Sequence, residues 1–335
     1  MNITPSEEQV LLRDTVSRFL ADRTDPATAG EGPISQDDWR ALGELGLFGF
    51  LLPEAAGGLG GGPQDVMIVA EEFGRALAIT PLAEGIVGAA DAIACGGDAA
   101  VIETWVAPAM TGDHVLAVAV ADVSTDGARL TGRADFVLSA VDAAALVVIG
   151  AGATWLVERD ADGLSIDPVR LIDRSAAGMV RFDGTPALAL TQADGDTTLA
   201  MIRLCHVAEL VGAMSTLYEQ TVEYVRQRQQ FGVAIGSFQV VQHKLARMFV
   251  ALEQARSLML KAAIVDRDDA GFVRGVLGAK AYVADAAQRL AEEAVHLHGG
   301  MGVTDQLPVG RGLRRVMLLA RVFGSASEAR VALAA

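Results

Sequence analysis

The apolar residues of this chain recur with two different periods, and the changes of period divide it into three stretches. In the first, Thr4-Pro5-Ser6-Glu7 reads as a helix start, with threonine at the cap, proline at the first helical position and glutamate three residues on to close a capping box. Leu12, Val16, Phe19 and Leu20 then fall on one face at helical spacing. Asp25-Pro26 and the run to Pro33 end that helix. Further helices are predicted for Ser35 to Leu45, Gln64 to Leu77, Leu82 to Ala94 and Ala99 to Val106, separated by glycine-rich turns.

From Val115 the period shortens. The β-branched runs Val115–Val120, Asp135–Leu138, Leu146–Ile149, Thr154–Val157 and Met179–Phe182 alternate with Asp-Gly and Gly-Ala breaks, which predicts an antiparallel β unit. Gln192 to Asp196 is polar and acidic and reads as a linker. Beyond it the helical period returns in longer stretches: Leu204, Val207, Val211, Met214, Tyr218, Thr221 and Val225 in one; Phe238, Val241, Leu245, Met248, Leu252, Ala255 and Met259 in a second; Val276, Ala279, Val283, Ala287, Leu290 and Ala294 in a third. Small residues along the third permit close helix approach, including approach between subunits. With a last helix over Gly310 to Leu333, the expected fold is α+β multidomain: an N-terminal α-helical domain (1–108), a small antiparallel β-domain (109–192) and a C-terminal four-helix bundle (193–335).

A length of 335 residues and an apolar content of 51% suffice for two or three domains with a large core. The net charge of −15 repels nucleic acid and anionic membranes, so neither is an expected partner. A polyanionic ligand must be met by local arginines; Arg226 with Arg228 form one such cluster, and Arg311, Arg314, Arg315 and Arg321 another. Cys95 and Cys205 are too few for a disulfide framework or thiolate metal site, which fits a reducing compartment. No leading basic-then-apolar segment and no run of about 20 apolar residues stands out, so a cytoplasmic protein is expected.

The stretch Arg226-Gln227-Arg228-Gln229-Gln230-Phe231-Gly232 carries two guanidinium groups, an aromatic ring and a glycine turn. It precedes Ile235-Gly236-Ser237-Phe238-Gln239, where Ser237 is placed to cap a long amphipathic helix, an arrangement suited to a bound diphosphate. Together with His296-Leu297-His298-Gly299-Gly300-Met301-Gly302, it resembles the two cofactor-binding signatures of the flavin-dependent acyl-CoA dehydrogenases. Leu45-Gly46-Leu47-Phe48-Gly49, Leu52-Pro53-Glu54-Ala55-Ala56-Gly57-Gly58-Leu59-Gly60 and Glu71-Glu72-Phe73-Gly74-Arg75 resemble further segments of that family, in the same order.

The resemblance implies FAD, an acyl-CoA substrate, an acceptor of the electron-transfer flavoprotein type and a cofactor shared across a dimer interface. It implies that Arg228 pairs with the diphosphate, Phe231 packs on the cofactor, Gln239 touches it from the second helix, and His296, Gly299 and Gly300 lie along its adenosine. Alternative readings are a solvated helix-end cation for Arg228 and an ordinary helix C-cap for Gly299-Gly300. His296 and His298 have no cysteine or carboxylate cluster nearby and read as surface or cofactor-edge groups, so no metal is expected. His243, within a helix, reads as structural.

Two departures from the family pattern concern the chemistry. A carboxylate must reach the substrate α-carbon, yet Phe323, before Gly324-Ser325-Ala326, stands at one expected glutamate position and Ile202, beside the matching Arg203, at the other. The segments expected around the flavin ring are also missing or altered: Leu116 to Val123 holds no acidic-glycine string, and Phe136 and Leu138 replace a tryptophan and a threonine. Glu209 is a substitute candidate base, two helical turns past Ile202, about 20° round and roughly 10 Å along, with His206 placed to pair with it. The expected function is therefore that of a short, base-lacking subunit lending its grip to the FAD of a homologous catalytic partner in an α2β2 assembly acting on steroid side-chain or other bulky acyl-CoA. The alternatives are a self-sufficient homo-oligomer using Glu209 as its base, with Arg203 as a second candidate catalytic residue, and a flavin-free scaffold.

Overall fold

In the computed structural model, which describes residues 5–23, 28–304 and 306–334, the first helix opens at Ser6. The Ser6 hydroxyl accepts the Gln9 N–H at 3.2 Å and the Gln9 side chain accepts the Ser6 N–H at 3.1 Å, a reciprocal capping box. Thr4 and the Asp25-Pro26 break lie outside the described residues. The chain forms two compact units, one of residues 1–32, 63–79 and 203–335, the other of residues 33–62 and 80–202.

The second unit begins with α2 (Gln36–Glu44), whose cap Ser35 accepts from Asp38 N–H, and α3 (Leu47–Phe50). α4 (Pro63–Arg75) belongs to the first unit. The single helix expected over Leu82 to Ala94 is a π-helical segment, Leu82–Ala90, running into α5 (Asp91–Gly96). Gly85 and Gly88 permit this tight seat: a Cβ on Gly85 would lie 3.0 Å from the Leu116 carbonyl oxygen, and one on Gly88 2.6 Å from the Ile202 side chain. α6 (Ala99–Met110) is capped by Asp98.

Two four-stranded sheets follow. One is ordered β1-β4-β5-β8, from Leu116–Val120, Ala145–Gly150, Ala153–Glu158 and Leu188–Ala189; the other is ordered β2-β3-β7-β6, from Asp122–Thr125, Arg129–Leu138, Ala176–Pro186 and Leu164–Arg170. Every pair is antiparallel except β1 with β4, which runs parallel because the chain passes through β2 and β3 of the other sheet between them. Leu130, Val137, Leu146, Val148, Trp155 and Phe182 fill the core between the sheets. A bulge in β3 between Ala134 and Val137 turns Phe136 outward at φ +55°.

In the first unit, α1 (Glu7–Arg23) packs on α4, and α7 (Gly195–Gln227) enters it from Arg203 onward. The expected linker is thus shorter, with Asp194 accepting the Asp196 and Thr197 N–H groups at the helix start. α7 is long and apolar enough to cross a membrane, but 89% of its most apolar window is buried inside the fold, as befits a core helix. α4 and α7 cross backbone to backbone: a Cβ on Gly74 would lie 2.0 Å from the Glu209 carbonyl oxygen, and one on Gly212 2.0 Å from that of Glu71. Gly74 of the Glu-Glu-Phe-Gly-Arg motif is therefore a packing glycine. α9 (Phe272–His298) buries its predicted seam, and α8 (Gln239–Ala263) buries Val241, Met248, Leu252, Ala255 and Met259 of its own, with Phe238, at its cap, and Leu245 half-buried. The last expected helix is two, α10 (Pro308–Leu319) and α11 (Ala326–Ala334), because Phe323 at φ +52° and Gly324 at φ +106° break it and Ser325 with Glu328 caps the second.

Candidate functional site

Past the end of α7 the chain turns through a two-residue hairpin, β9 (Gln229–Gln230) against β10 (Val233–Ala234). Phe231 at φ +55° and Gly232 at φ +82° occupy the two loop positions, the left-handed pair of a type I′ turn. Phenylalanine there costs about 1–2 kcal/mol, and its ring is 93% exposed, edge-on to Phe238 at 6.3 Å. Ser237 does not cap α8: its hydroxyl donates to the Ala234 carbonyl at 2.7 Å, and Phe238 takes the cap position without a side-chain acceptor. Gln239, the first residue of α8, is exposed, as are Arg226 and Arg228.

Two contacts bring the end of α9 to this place. The Tyr224 hydroxyl donates to the His298 carbonyl at 3.3 Å and the two rings stack at 4.2 Å. Lys244 of α8 pairs with Glu293 and lies 3.3 Å from His296 Nδ1. Arg228, Phe231, Gln239, His296, Gly299 and Gly300 thus gather at one end of the unit. His296 is exposed, but His298, read as a surface or cofactor-edge group, is buried; its Nδ1–H donates to the Ala294 carbonyl at 2.8 Å, and burial lowers its pKa. Two residues apart on a helix, the rings of His296 and His298 face opposite sides. Gly299, at φ +63° and ψ −145°, occupies a region open almost only to glycine. A Cβ on Gly299 or Gly300 would meet nothing within 4 Å. His243, read as structural, is exposed.

Of the second predicted arginine cluster, two members are consumed internally. Arg311 and Arg315, one turn apart on the inward face of α10, are buried. Arg311 donates to the Ala29 carbonyl at 2.7 Å and pairs with Glu31 at 3.3 Å; Arg315 pairs with Glu209 at 2.8 Å.

The candidates for base chemistry lie elsewhere in the unit. Arg203 Nε donates to the Phe323 carbonyl at 2.7 Å, so the arginine beside one expected glutamate position reaches the residue at the other. Both of those positions carry apolar side chains, Ile202 and Phe323. Glu209 is 2% exposed and held by Arg315. His206, placed by sequence to pair with it, packs on the Phe323 ring at 5.6 Å, and its Nδ1 has no hydrogen-bond partner among the described residues. Burial first, then Lys280 and Arg315, hold its pKa well below 6.5. Lys280, missed in the sequence, is wholly buried and donates to the Leu319 carbonyl at 2.6 Å and the Val322 carbonyl at 3.2 Å. Its signal was present: it stands four residues after Val276 and three before Val283, on the apolar seam of α9.

Comparison with known proteins agrees with this architecture. Residues 6–113 match the family model described as "Acyl-CoA dehydrogenase, N-terminal domain" and residues 195–334 the one described as "Acyl-CoA dehydrogenase, C-terminal domain". The chain is 29% identical to acyl-CoA dehydrogenase IpdE2 of Mycobacterium tuberculosis over 310 residues, 90% of this chain and 88% of that one. It is 29% identical to acyl-CoA dehydrogenase FadE27 of the same organism over 307 residues, 84% and 82% of the two chains. Among solved structures, a chain of a variant of the Tcur3481-Tcur3483 steroid ACAD superposes with a TM-score of 0.91 at 31% identity over 98% of this chain and 97% of that one. A chain of the ChsE4-ChsE5 complex from Mycobacterium tuberculosis superposes at 0.90 with 25% identity, covering 100% and 98%. With its helical N-terminal part, middle β-sheets and helical C-terminal part, the chain belongs to the acyl-CoA dehydrogenase family.

Proposed function

We propose that this chain is one subunit of an FAD-dependent acyl-CoA dehydrogenase, in which a homologous partner supplies the carboxylate for α,β-dehydrogenation of a bulky, steroid-type acyl-CoA thioester. The observation that carries this reading is a contrast along the chain: the first unit gathers an exposed set of cofactor-type residues at one end, while the two positions where the family's resemblance calls for a base hold Ile202 and Phe323. Two similar structures are named as paired products, Tcur3481-Tcur3483 and ChsE4-ChsE5, and the first is named a steroid ACAD, which supports a two-component assembly and a bulky substrate.

The residues present fit a dinucleotide. Arg228 offers a charge-assisted donor pair to a diphosphate, the α8 N-terminus has no side-chain cap, and Phe231 holds a 93% exposed ring in a strained turn, touched edge-on by Phe238. A Cβ on Gly300 would meet nothing within 4 Å among the described residues, which leaves room for close approach of an adenosine. Gln239 and His296 border the same place. When bound, FAD supplies the two-electron acceptor; this chain's residues bind and orient its diphosphate and adenosine end. Glu209, buried against Arg315, acts in this reading as a structural carboxylate, which disfavours a self-sufficient enzyme built on it. An electron-transfer flavoprotein-type acceptor belongs to the same proposal.

The test is to isolate the native complex through a tag on this chain and to measure flavin absorbance, flavin-to-chain ratio and acyl-CoA turnover, with the chain alone as comparison. One flavin per two non-identical chains, with turnover only in the complex, is expected. Full turnover by the pure homo-oligomer overturns the reading, and a flavin-free complex favours a scaffold.

A further inference from the structure

The chain has three lysines among 27 basic residues, at positions 244, 261 and 280. Lys280 is the buried one, at 0% exposure in the core of the first unit. Arginine keeps its charge at any ordinary pH, whereas a lysine in the same place can shed a proton. The other cations of its cluster are Arg203 and Arg315, so among them Lys280 is the member able to shed its proton.

What Lys280 holds is the joint between α10 and α11. Its Nζ donates to the carbonyls of Leu319, the last residue of α10, and Val322, at 2.6 and 3.2 Å. Arg203 Nε takes the next carbonyl, Phe323, at 2.7 Å. The joint needs such support, because Phe323 and Gly324 are both left-handed. His206 packs its ring on Phe323 from α7. Side chains of α7 and α9 thus replace the usual C-cap of α10.

We propose that Lys280 is a proton-coupled latch: the α10–α11 joint opens with uptake of one proton by Lys280 and closes with its release. The closed geometry suits the neutral amine, which has two N–H donors for the two carbonyls that Nζ reaches. The charged surroundings point the same way. Burial first, and then Arg203, lower the Lys280 pKa from 10.5 to about 7, opposed by Glu209 of α7. His206 of α7 and Arg315 of α10 complete the cluster, and Glu328 of α11 faces Arg203. Opening returns Lys280 to water and its ordinary affinity for the proton. Between about 7 and 10.5 the open joint carries a proton that the closed one lacks, so closure strengthens as pH rises. Below about 7 both states carry it and the dependence disappears.

The experiment is amide hydrogen exchange of the 319–326 segment in the full chain at pH 7.5 to 9.5, corrected for the base-catalysed intrinsic rate. Protection of the joint rises by up to about tenfold per pH unit, and in Lys280→Met it becomes independent of pH. A flat profile in the unsubstituted chain, or the same slope in Lys280→Met, overturns the latch. A second readout needs no core substitution: with lysine labelled at Cε, the unsubstituted chain gives three signals, and Lys244→Arg and Lys261→Arg assign the third to Lys280. Titration of that signal near neutrality supports the proposal; titration at 10.5 sinks it.

Discussion

Replacing Glu209 by glutamine distinguishes a buried ion-pair partner from a proton acceptor. Glu209 is 2% exposed and receives Arg315 Nη2 at 2.8 Å, with Lys280 in the same cluster. Glutamine keeps one carbonyl acceptor for Arg315 but removes the negative charge that the buried Arg315 guanidinium faces. Breaking a buried pair from one side costs about 3–5 kcal/mol, and the retained acceptor puts this change near the lower end. At about 2–4 °C per kcal/mol for a unit of this size, the melting temperature should fall by roughly 6–12 °C. Loss of Glu209 also removes the one influence that raises the Lys280 pKa, so Lys280 titrates lower still. The assay pairs thermal unfolding of the assembled complex with acyl-CoA turnover measured well below the transition. The expected result is a less stable complex whose kcat stays within a few-fold of the parent, and a Glu209→Met/Arg315→Met double variant that recovers most of the lost stability. A fall in kcat of three or more powers of ten, with the fold intact at the assay temperature, would refute this reasoning and make Glu209 the base.

Other expectations follow from the same geometry. Gly74→Ala places a Cβ 2.0 Å from the Glu209 carbonyl oxygen and must part α4 from α7, so a loss at or above the upper end of the ~1–3 kcal/mol overpacking range is expected in denaturant unfolding; an unchanged midpoint contradicts the backbone contact. Phe231→Gly removes a 93% exposed ring and about 1 kcal/mol of left-handed strain, so stability holds or rises while the complex retains less flavin on gel filtration; unchanged flavin content removes Phe231 from the grip. For His206, whose pKa is depressed below 6.5 in the fold, stability is fully present above about 6.5 and lost as pH falls, because the unfolded chain takes a proton the folded one refuses. His206→Leu should therefore flatten the decline in unfolding free energy between pH 7.5 and 5.5, and equal slopes in the two proteins would count against the buried neutral ring.

Much of the architecture was legible because burial writes a period into the chain. Leu204 to Val225 and Val276 to Ala294 are seams in the sequence and are buried in the fold, apart from the half-buried Tyr218. In the two four-stranded sheets the strands that escaped, β2, β6 and β8, are all edges: polar residues, with Pro168 in β6, suit an unpaired side and hide β2 and β6 from a search for apolar runs, and β8 is only two residues long. The division of the last helix escaped for a different reason. Phe323 is an unremarkable helix residue by composition, and its left-handed backbone, with that of Gly324, keeps α10 and α11 apart in a joint supported from α7 and α9. At the candidate site, the residues of the α7–α8 turn and the α9 end were legible as motifs, and the structure adds why they gather: Tyr224 on His298 and Lys244 on Glu293. Arg311 and Arg315 were misread as ligand-facing because charge alone does not tell which face of α10 it occupies. Lys280 was overlooked because a lone lysine on an apolar seam looks like noise until the carbonyls it meets are seen.

The central claim is that this chain keeps a cofactor clasp but supplies no proton acceptor. Its most direct test is acyl-CoA turnover per bound flavin for the chain purified by itself and for the chain recovered with its native partner. The account predicts negligible turnover by the first and full turnover by the second, with activity abolished by removing a carboxylate from the partner and retained in Glu209→Gln. Full activity from copies of this chain alone would contradict it.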